Sequence, residues 1–456
     1  MRCPQLLLLV VVTSATSVPA TEPAPERLID ATAHVVPKET APEGEGYFSI
    51  IEGHNERLYI GTHANAVNAW LVEFDPAAEA MKIVVDAHEA IGIDLKGFGA
   101  QAKIHTRNNT GKLTGRIYFG TKQGYPAEGE TREDYPGGYP MVYDPATGDT
   151  RVYPIPVPHH GINSITPDEA RGVAYISTCS DHRPGPGENA VFLILDLETG
   201  EYRELMDTEH YYGFIVVDYL GRAYHPILGG DIARYDPETD RLERLKQTID
   251  GEPPTDATRL ALTEPGPDPI NWDISPDGKT LYAQPMSGNG LYAYDLTAEG
   301  DVLPGRSLGT LVPGADSTDC RAMCAGPSGA VWCAVTEGVE GVNVLHLVRY
   351  RPGDASPVDL GVVNVSNPDF TEFTDANGDA LPFHSGFNPD FTEFTDANGD
   401  ALPFHSGFLK LASGHTITRY VILGVCEARN GDVHILAMHP YSVLTVEASE
   451  IEETGL

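Results

Sequence analysis

The chain is 456 residues long, with 66 acidic side chains against 30 basic ones and a formal net charge of −36. Such a surface repels polyphosphate, so no nucleic-acid partner is expected, although an anionic small ligand stays open if the basic residues are gathered at one place. Six cysteines are too few for a disulfide scaffold, so the 41% hydrophobic content must build ordinary cores.

Residues 1–20 read as a secretory signal peptide. Arg2 is the charged region, 6–12 is an apolar run too short to span a bilayer, and Val18-Pro19-Ala20 offers small residues for cleavage. The mature chain is therefore expected to be exported, periplasmic or extracellular, without a membrane span, and a monomer.

From residue 46 onward, short apolar strands alternate with turns, which is the hairpin signal. Residues 212–240 show the unit most clearly. An apolar run at 213–217 meets a turn at 218–221, a short strand follows, and a third strand closes on Tyr235-Asp-Pro-Glu-Thr-Asp. Recurrence of such a unit at roughly 40–50 residues is the period of propeller blades. The first three blades begin at Gly46, Phe98 and Gly161. The fourth is the stretch just described, and the last three begin at Ile270, Arg321 and Tyr420.

The expected fold is all-β, one seven-bladed β-propeller of four-stranded antiparallel blades over residues 46–456. Residues 21–45 form an N-terminal segment. Its part 26–36 is expected to pair with the last blade and close the ring, because an open ring leaves edges that aggregate.

Between the sixth and seventh blades, residues 367–387 repeat without change as 388–408, a tandem duplication of 21 residues. A blade offers one socket per strand, so one copy should pack and the other loop out. Asp375, Asn377 and Asp379 resemble the first half of a calcium loop, as do Asp396, Asn398 and Asp400. Ala380 and Gly386 depart from that pattern at its sixth and twelfth positions, and a hairpin turn built on Asn-Gly is the plainer reading. Cys324 could face Cys333 across a hairpin or pair with Cys320, and spacing does not choose.

The run Ile274-Ser-Pro-Asp-Gly-Lys-Thr-Leu-Tyr resembles the repeat of bacterial surface-layer and lactonase-like propellers. Tyr-Asp-Pro-x-Thr at 143–147 and 235–239, with Leu195-Asp-Leu-Glu-Thr-Gly, resembles the streptogramin-lyase-like and ulvan-lyase-like propellers. The likeness covers nearly all of the mature chain, and its motifs mark blades rather than an activity.

In a blade whose first strand is innermost, the loop before that strand and the loop after the second strand open on one channel mouth. Residues ending second strands are His63, Lys122-Gln123, 179–182 with His182, His225, Gln284, Glu337 and His439. Those leading into first strands include His159-His160, Tyr211-Tyr212, Asn271-Trp272, Asp319 with Arg321, and Arg419-Tyr420. A His or Tyr can remove the proton α to a uronate carboxylate while an Arg or a metal neutralises the carboxylate, which is β-elimination.

The ulvan-lyase-like families use paired His, a Tyr and an Arg, and His160, His182, Tyr224 and Arg234 are the nearest counterparts. Tyr212, Trp272, Arg321 and Arg419 are expected to contact ligand. His63, His225, Gln284 and His439 resemble the His-and-Gln metal set of oligogalacturonate-lyase-like propellers, which suits a divalent metal such as Mn, Zn or Ca. The plainer reading of histidines at equivalent corners is packing inherited from an ancestral blade. The functional expectation is a carbohydrate-active propeller acting as a polysaccharide lyase on uronate-containing glycans. Its alternatives are a non-catalytic propeller that binds a ligand or protein at the same mouth, and lactone hydrolysis on a metal.

Overall fold

The computed structural model describes residues 27–42, 44, 46, 49–180, 189–208, 213–227, 230–254, 270–285, 288–315, 318–339, 342–367, 408–410, 413–418, 424–438 and 440–453. Residues 1–20, read above as a signal peptide, and residues 375–379 and 396–400 of the duplicated segment lie outside them.

The described strands pair into seven four-stranded antiparallel units. Their first strands are Ile50–Glu52, Asn109–Thr110, His160–Asp168, Val216–Val217, Ile270–Ile274, Thr318–Ala325 and Val425–Glu427. Each first strand packs against the next, and Val425–Glu427 packs back onto Ile50–Glu52. The units therefore stand as blades around a channel, and the molecule is a β-propeller. In the second blade, residues 97–99 form a 3-10 turn and the innermost strand is Asn109–Thr110, which corrects the expected start at Phe98.

The apolar cores lie between blades. Tyr59 and Leu71 of the first blade meet Ile117 and Phe119 of the second, and Tyr118 and Val142 of the second meet Ile162 and Ile176 of the third. With a neighbour on each face, second strands such as Leu58–Gly61 and Ile117–Gly120 are buried at every residue instead of alternating. Each such Leu, Ile or Phe contributes about 1.5–3 kcal/mol. Tyr143 and Tyr235, of the recurring Tyr-Asp-Pro turns, are buried in these clusters. These turns are tied by their own acids, as where Asp144 accepts the Ala146 N–H at 3.0 Å and Asp236 the Glu238 N–H at 2.9 Å.

Leu28–Val35 supplies the fourth strand of the last blade. It runs antiparallel to Ser442–Val446, with Ala33 opposite Leu444, and its first half runs parallel to Val358–Val365 of the sixth blade. The seam thus has no open edge. Asn367 brackets this strand, accepting the Ala33 N–H at 3.0 Å and donating to the Ala33 carbonyl at 2.9 Å. Phe408, which ends the second copy of the duplication, is buried. The first residue of one copy and the last residue of the other are therefore both seated in the fold.

All five described cysteines are free thiols. Register excludes the Cys324–Cys333 pairing, because Cys324 lies opposite Trp332 and Cys333 opposite Met323. Adjacent residues alternate faces, so the two thiols point to opposite sides of the sixth blade. Cys320 shares a cluster with Cys333 while Cys324 packs against the other one, and that removes the Cys320–Cys324 pair too. Among the described residues, no helix is long and apolar enough to cross a membrane.

Candidate functional site

The connection from the first blade to the second lays Lys103 between the ends of two second strands. Lys103 pairs with His63 on one side and with Lys122 on the other. The Lys103 N–H donates to the Lys122 carbonyl at 3.0 Å, and the Lys122 N–H returns to Lys103 at 2.8 Å. Directly opposed residues share a face, so His63, Lys103 and Lys122 project together. His105, two residues on from Lys103, follows the same alternation.

All four are largely buried. Burial, then the charges of Lys122 and Lys103 and the neighbouring His63, hold His105 well below the usual imidazole range, so its ring is neutral at physiological pH. Lys122 Nζ lies 3.3 Å from Cys179 Sγ of the third blade. Gly161 lets this corner close, since a Cβ there would meet Lys122 Cγ at 2.5 Å and Gln123 Oε1 at 2.7 Å. The Gln123 carboxamide is buried, and among the described residues neither its oxygen nor its nitrogen is hydrogen-bonded.

His160 starts the first strand of the third blade. Its Nδ1 lies 2.9 Å from Thr178 Oγ1, and burial, with a contribution from Arg132, lowers its pKa to about 4. The rim loop 124–138 is pinned to the first two blades: Tyr135 donates to Gln101 Oε1 at 2.9 Å, and Gln101 Nε2 donates to the Gly137 carbonyl at 2.9 Å.

Several expected site residues take other roles. Tyr224 is fully buried, and its hydroxyl donates to Asp218 Oδ2 at 2.9 Å in the turn after the first strand, at the opposite end of the blade from His160. Arg234 lies opposite Tyr224 in the sheet and pairs with Glu243 at 2.7 Å. This pair packs the fourth blade and does not join His160. Trp272 is 0% exposed and presents no face to a ligand; its Nε1–H donates to the Phe214 carbonyl at 2.8 Å and ties the fifth blade to the fourth. Arg321 forks onto Asp319 beside the mouth, its Nε 2.9 Å from Oδ1. His182, Tyr212, Arg419 and His439 lie outside the described residues.

The metal set does not assemble around His225. Its Nδ1 donates to the Pro226 carbonyl at 2.6 Å, and its Nε2 lone pair takes the Ser177 hydroxyl at 2.7 Å. Gln284 Nε2 donates to the Cys320 carbonyl at 2.8 Å, an interblade link that leaves Oε1 facing no partner among the described residues. No group of three or more His, Cys, Asp or Glu is gathered for a metal among the described residues.

Deeper in the channel lies a cavity of about 260 Å³ lined by Arg107, Asn108, Asp273 and Glu427. Arg107, from the second blade, crosses to the fifth, where it pairs with Asp273 and donates to the Trp272 carbonyl.

Lys103, His105 and Arg107 were not singled out from the sequence. The Lys-x-His-x-Arg alternation at 103–107 was the available signal, since period two puts all three on one side of an extended chain.

No family model matches the sequence, and no curated protein matches it either. Among solved structures the fold is similar to a streptogramin B lyase, at a TM-score of 0.50 and 13% identity over 91% of this chain and 96% of that one. It is similar also to the extracellular domain of a hybrid two-component system from B. thetaiotaomicron, at a TM-score of 0.50 and 8% identity. That match covers 92% of this chain and 40% of the other. A periplasmic gluconolactonase of Pseudomonas aeruginosa matches at a TM-score of 0.43 and 14% identity, over 86% of this chain and 96% of that one. At these identities the likeness is one of fold.

Proposed function

We propose that this chain is an exported, carbohydrate-active propeller that binds an anionic saccharide at the mouth between its first three blades. The observation that carries the reading is the alignment of His63, Lys103 and Lys122 by cross-strand pairing, with His105 beside them, in a chain of net charge −36. Cationic side chains gathered between buried strands focus positive potential at one place on an acidic protein.

The reaction that fits is β-elimination at a uronate. The two lysines neutralise the carboxylate so that the developing enolate is tolerated, and the neutral His105 imidazole takes the α-proton. The enolate then collapses to a carbon–carbon double bond as the glycosidic C–O bond at the β-carbon breaks, and the departing oxygen takes a proton from the imidazolium or from water. Burial lowers His105 most, and an arriving carboxylate offsets the further lowering by the lysine charges, which raises its basicity when substrate is bound. The second reading, binding without turnover, draws support from Tyr224 and Arg234, which are built into blade packing.

The test is a panel of uronate-containing polysaccharides incubated with the mature protein while near-ultraviolet absorbance reports the unsaturated product. A rise that Lys122→Gln abolishes supports elimination. Binding with no rise moves the assignment to the non-catalytic propeller. Absence of both binding and product, from folded protein, sinks the anionic-saccharide reading for that panel.

A further inference from the structure

We infer that Gln123 is the specificity-determining residue of the anionic site, reading a hydroxyl on a ligand whose carboxylate Lys122 holds. This rests on the anionic-site reading above.

Both side chains stand on one residue of the third blade. Gly161 lies in that blade's first strand, opposite Cys179, so its missing side chain is a matter of space and not of backbone conformation. A Cβ there would meet Lys122 Cγ at 2.5 Å and Gln123 Oε1 at 2.7 Å. Lys122 runs on to the other side of the same rung, its Nζ 3.3 Å from Cys179 Sγ. A glycine thus makes room for an ammonium and a carboxamide side by side.

This carboxamide differs from three other buried amides that keep an unpaired oxygen. Asn108, Asn163 and Gln284 each donate to a carbonyl of the adjacent blade, at 3.5, 2.7 and 2.8 Å, and so tie blades together. Gln123 is 1% exposed, and among the described residues neither its nitrogen nor its oxygen has a partner. An amide buried in that state destabilises the fold, so the fold alone does not account for it. A group that both donates and accepts would satisfy it, and a hydroxyl does both. Sulfate only accepts, which leaves the Gln123 oxygen unpaired. The site therefore selects a hydroxylated carboxylate, as a uronate is, over a compact inorganic anion.

The test titrates a galacturonate oligomer and inorganic sulfate calorimetrically into wild type, Gln123→Met and Lys122→Gln, and records the thermal unfolding midpoint of each ligand-free protein. Methionine keeps the length of glutamine without its hydrogen-bonding atoms. The inference expects Gln123→Met to weaken the oligomer about tenfold, to leave sulfate unchanged, and to unfold no earlier than wild type. Lys122→Gln should weaken both ligands. If Gln123→Met binds the oligomer as wild type does while Lys122→Gln does not, the hydroxyl-reading role is overturned and the anionic site stands. If Gln123→Met loses both ligands and unfolds earlier, Gln123 holds the corner together and the role is again overturned. If wild type binds neither ligand, both readings fall.

Discussion

Arg107 of the second blade reaches across the channel and pairs with Asp273 of the fifth. The same Asp273 oxygen, Oδ2, also accepts the Ala325 N–H of the sixth blade at 2.8 Å. One cross-channel pair therefore ties three blades together across the axis, beside the two-residue inner strand Asn109–Thr110 of the second blade. Removing one partner leaves a largely buried charge without compensation. Arg107→Met is expected to cost about 3 kcal/mol in denaturant unfolding, and Arg107→Met with Asp273→Leu is expected to cost less than the single change.

Trp272 tests whether a buried aromatic at the mouth is structural. Trp272→Phe keeps an aromatic ring but loses part of the buried indole together with the Nε1–H bond to the Phe214 carbonyl, which should cost about 1–3 kcal/mol. Trp272→Ala, which also opens a cavity between blades, should cost about 3–5 kcal/mol. Ligand affinity of Trp272→Phe is expected to equal wild type; a large loss would return Trp272 to the binding site.

Stability should depend on pH through two kinds of histidine. His346 lies 2.9 Å from Asp359 and 3.1 Å from Glu337. Burial opposes its charge, but the two carboxylates outweigh it and raise its pKa above 6.5. Its contribution is present below the unfolded value and is lost as pH rises through the folded one. His160 and His434 run the other way, since burial lowers both to about 4. Their neutral forms favour the fold above about 6.5, and that contribution drains away as pH falls toward about 4. Unfolding midpoints across pH should fall on both sides of a maximum, and His346→Gln should remove the decline on the alkaline side.

The duplicated segment makes a separate prediction. Asn367 is seated on Ala33 and Phe408 in the core between the sixth and seventh blades. Because the copies are identical, deleting 21 residues as one copy still leaves an Asn at the first anchor and a Phe at the last. The single-copy protein should unfold within about 0.5 kcal/mol of the parent by denaturant titration; a large loss would mean that both copies pack.

Blade order was legible in the sequence because turn chemistry is local. Tyr-Asp-Pro-x-Thr and Ser-Pro-Asp-Gly fix their own hydrogen bonds, and the apolar runs between them are long enough to read. The seam was legible for the same reason, as residues 26–36 form an apolar piece ahead of the first blade. The second blade's inner strand was misplaced because residues 100–105, which follow a 3-10 turn, do not pair as a blade strand. They instead bridge two second-strand ends, and nothing local signals that.

The mouth was half legible. Lys122, Gln123, His63 and His160 sit at the expected corners, but their grouping depends on Lys103, which tertiary pairing puts between them. His225, Trp272, Tyr224 and Arg234 all hold hydrogen bonds within the fold, which residue type and position do not reveal.

The most direct test of the account is calorimetric titration of a galacturonate oligomer into wild type and into Lys103→Gln with Lys122→Gln, at two salt concentrations. The account predicts saturable binding by wild type that weakens as salt rises, and a loss of at least about a hundredfold in the double variant, roughly tenfold per charge. Equal affinity in the folded double variant would contradict it, because the anion would then be held somewhere other than the corner these lysines form.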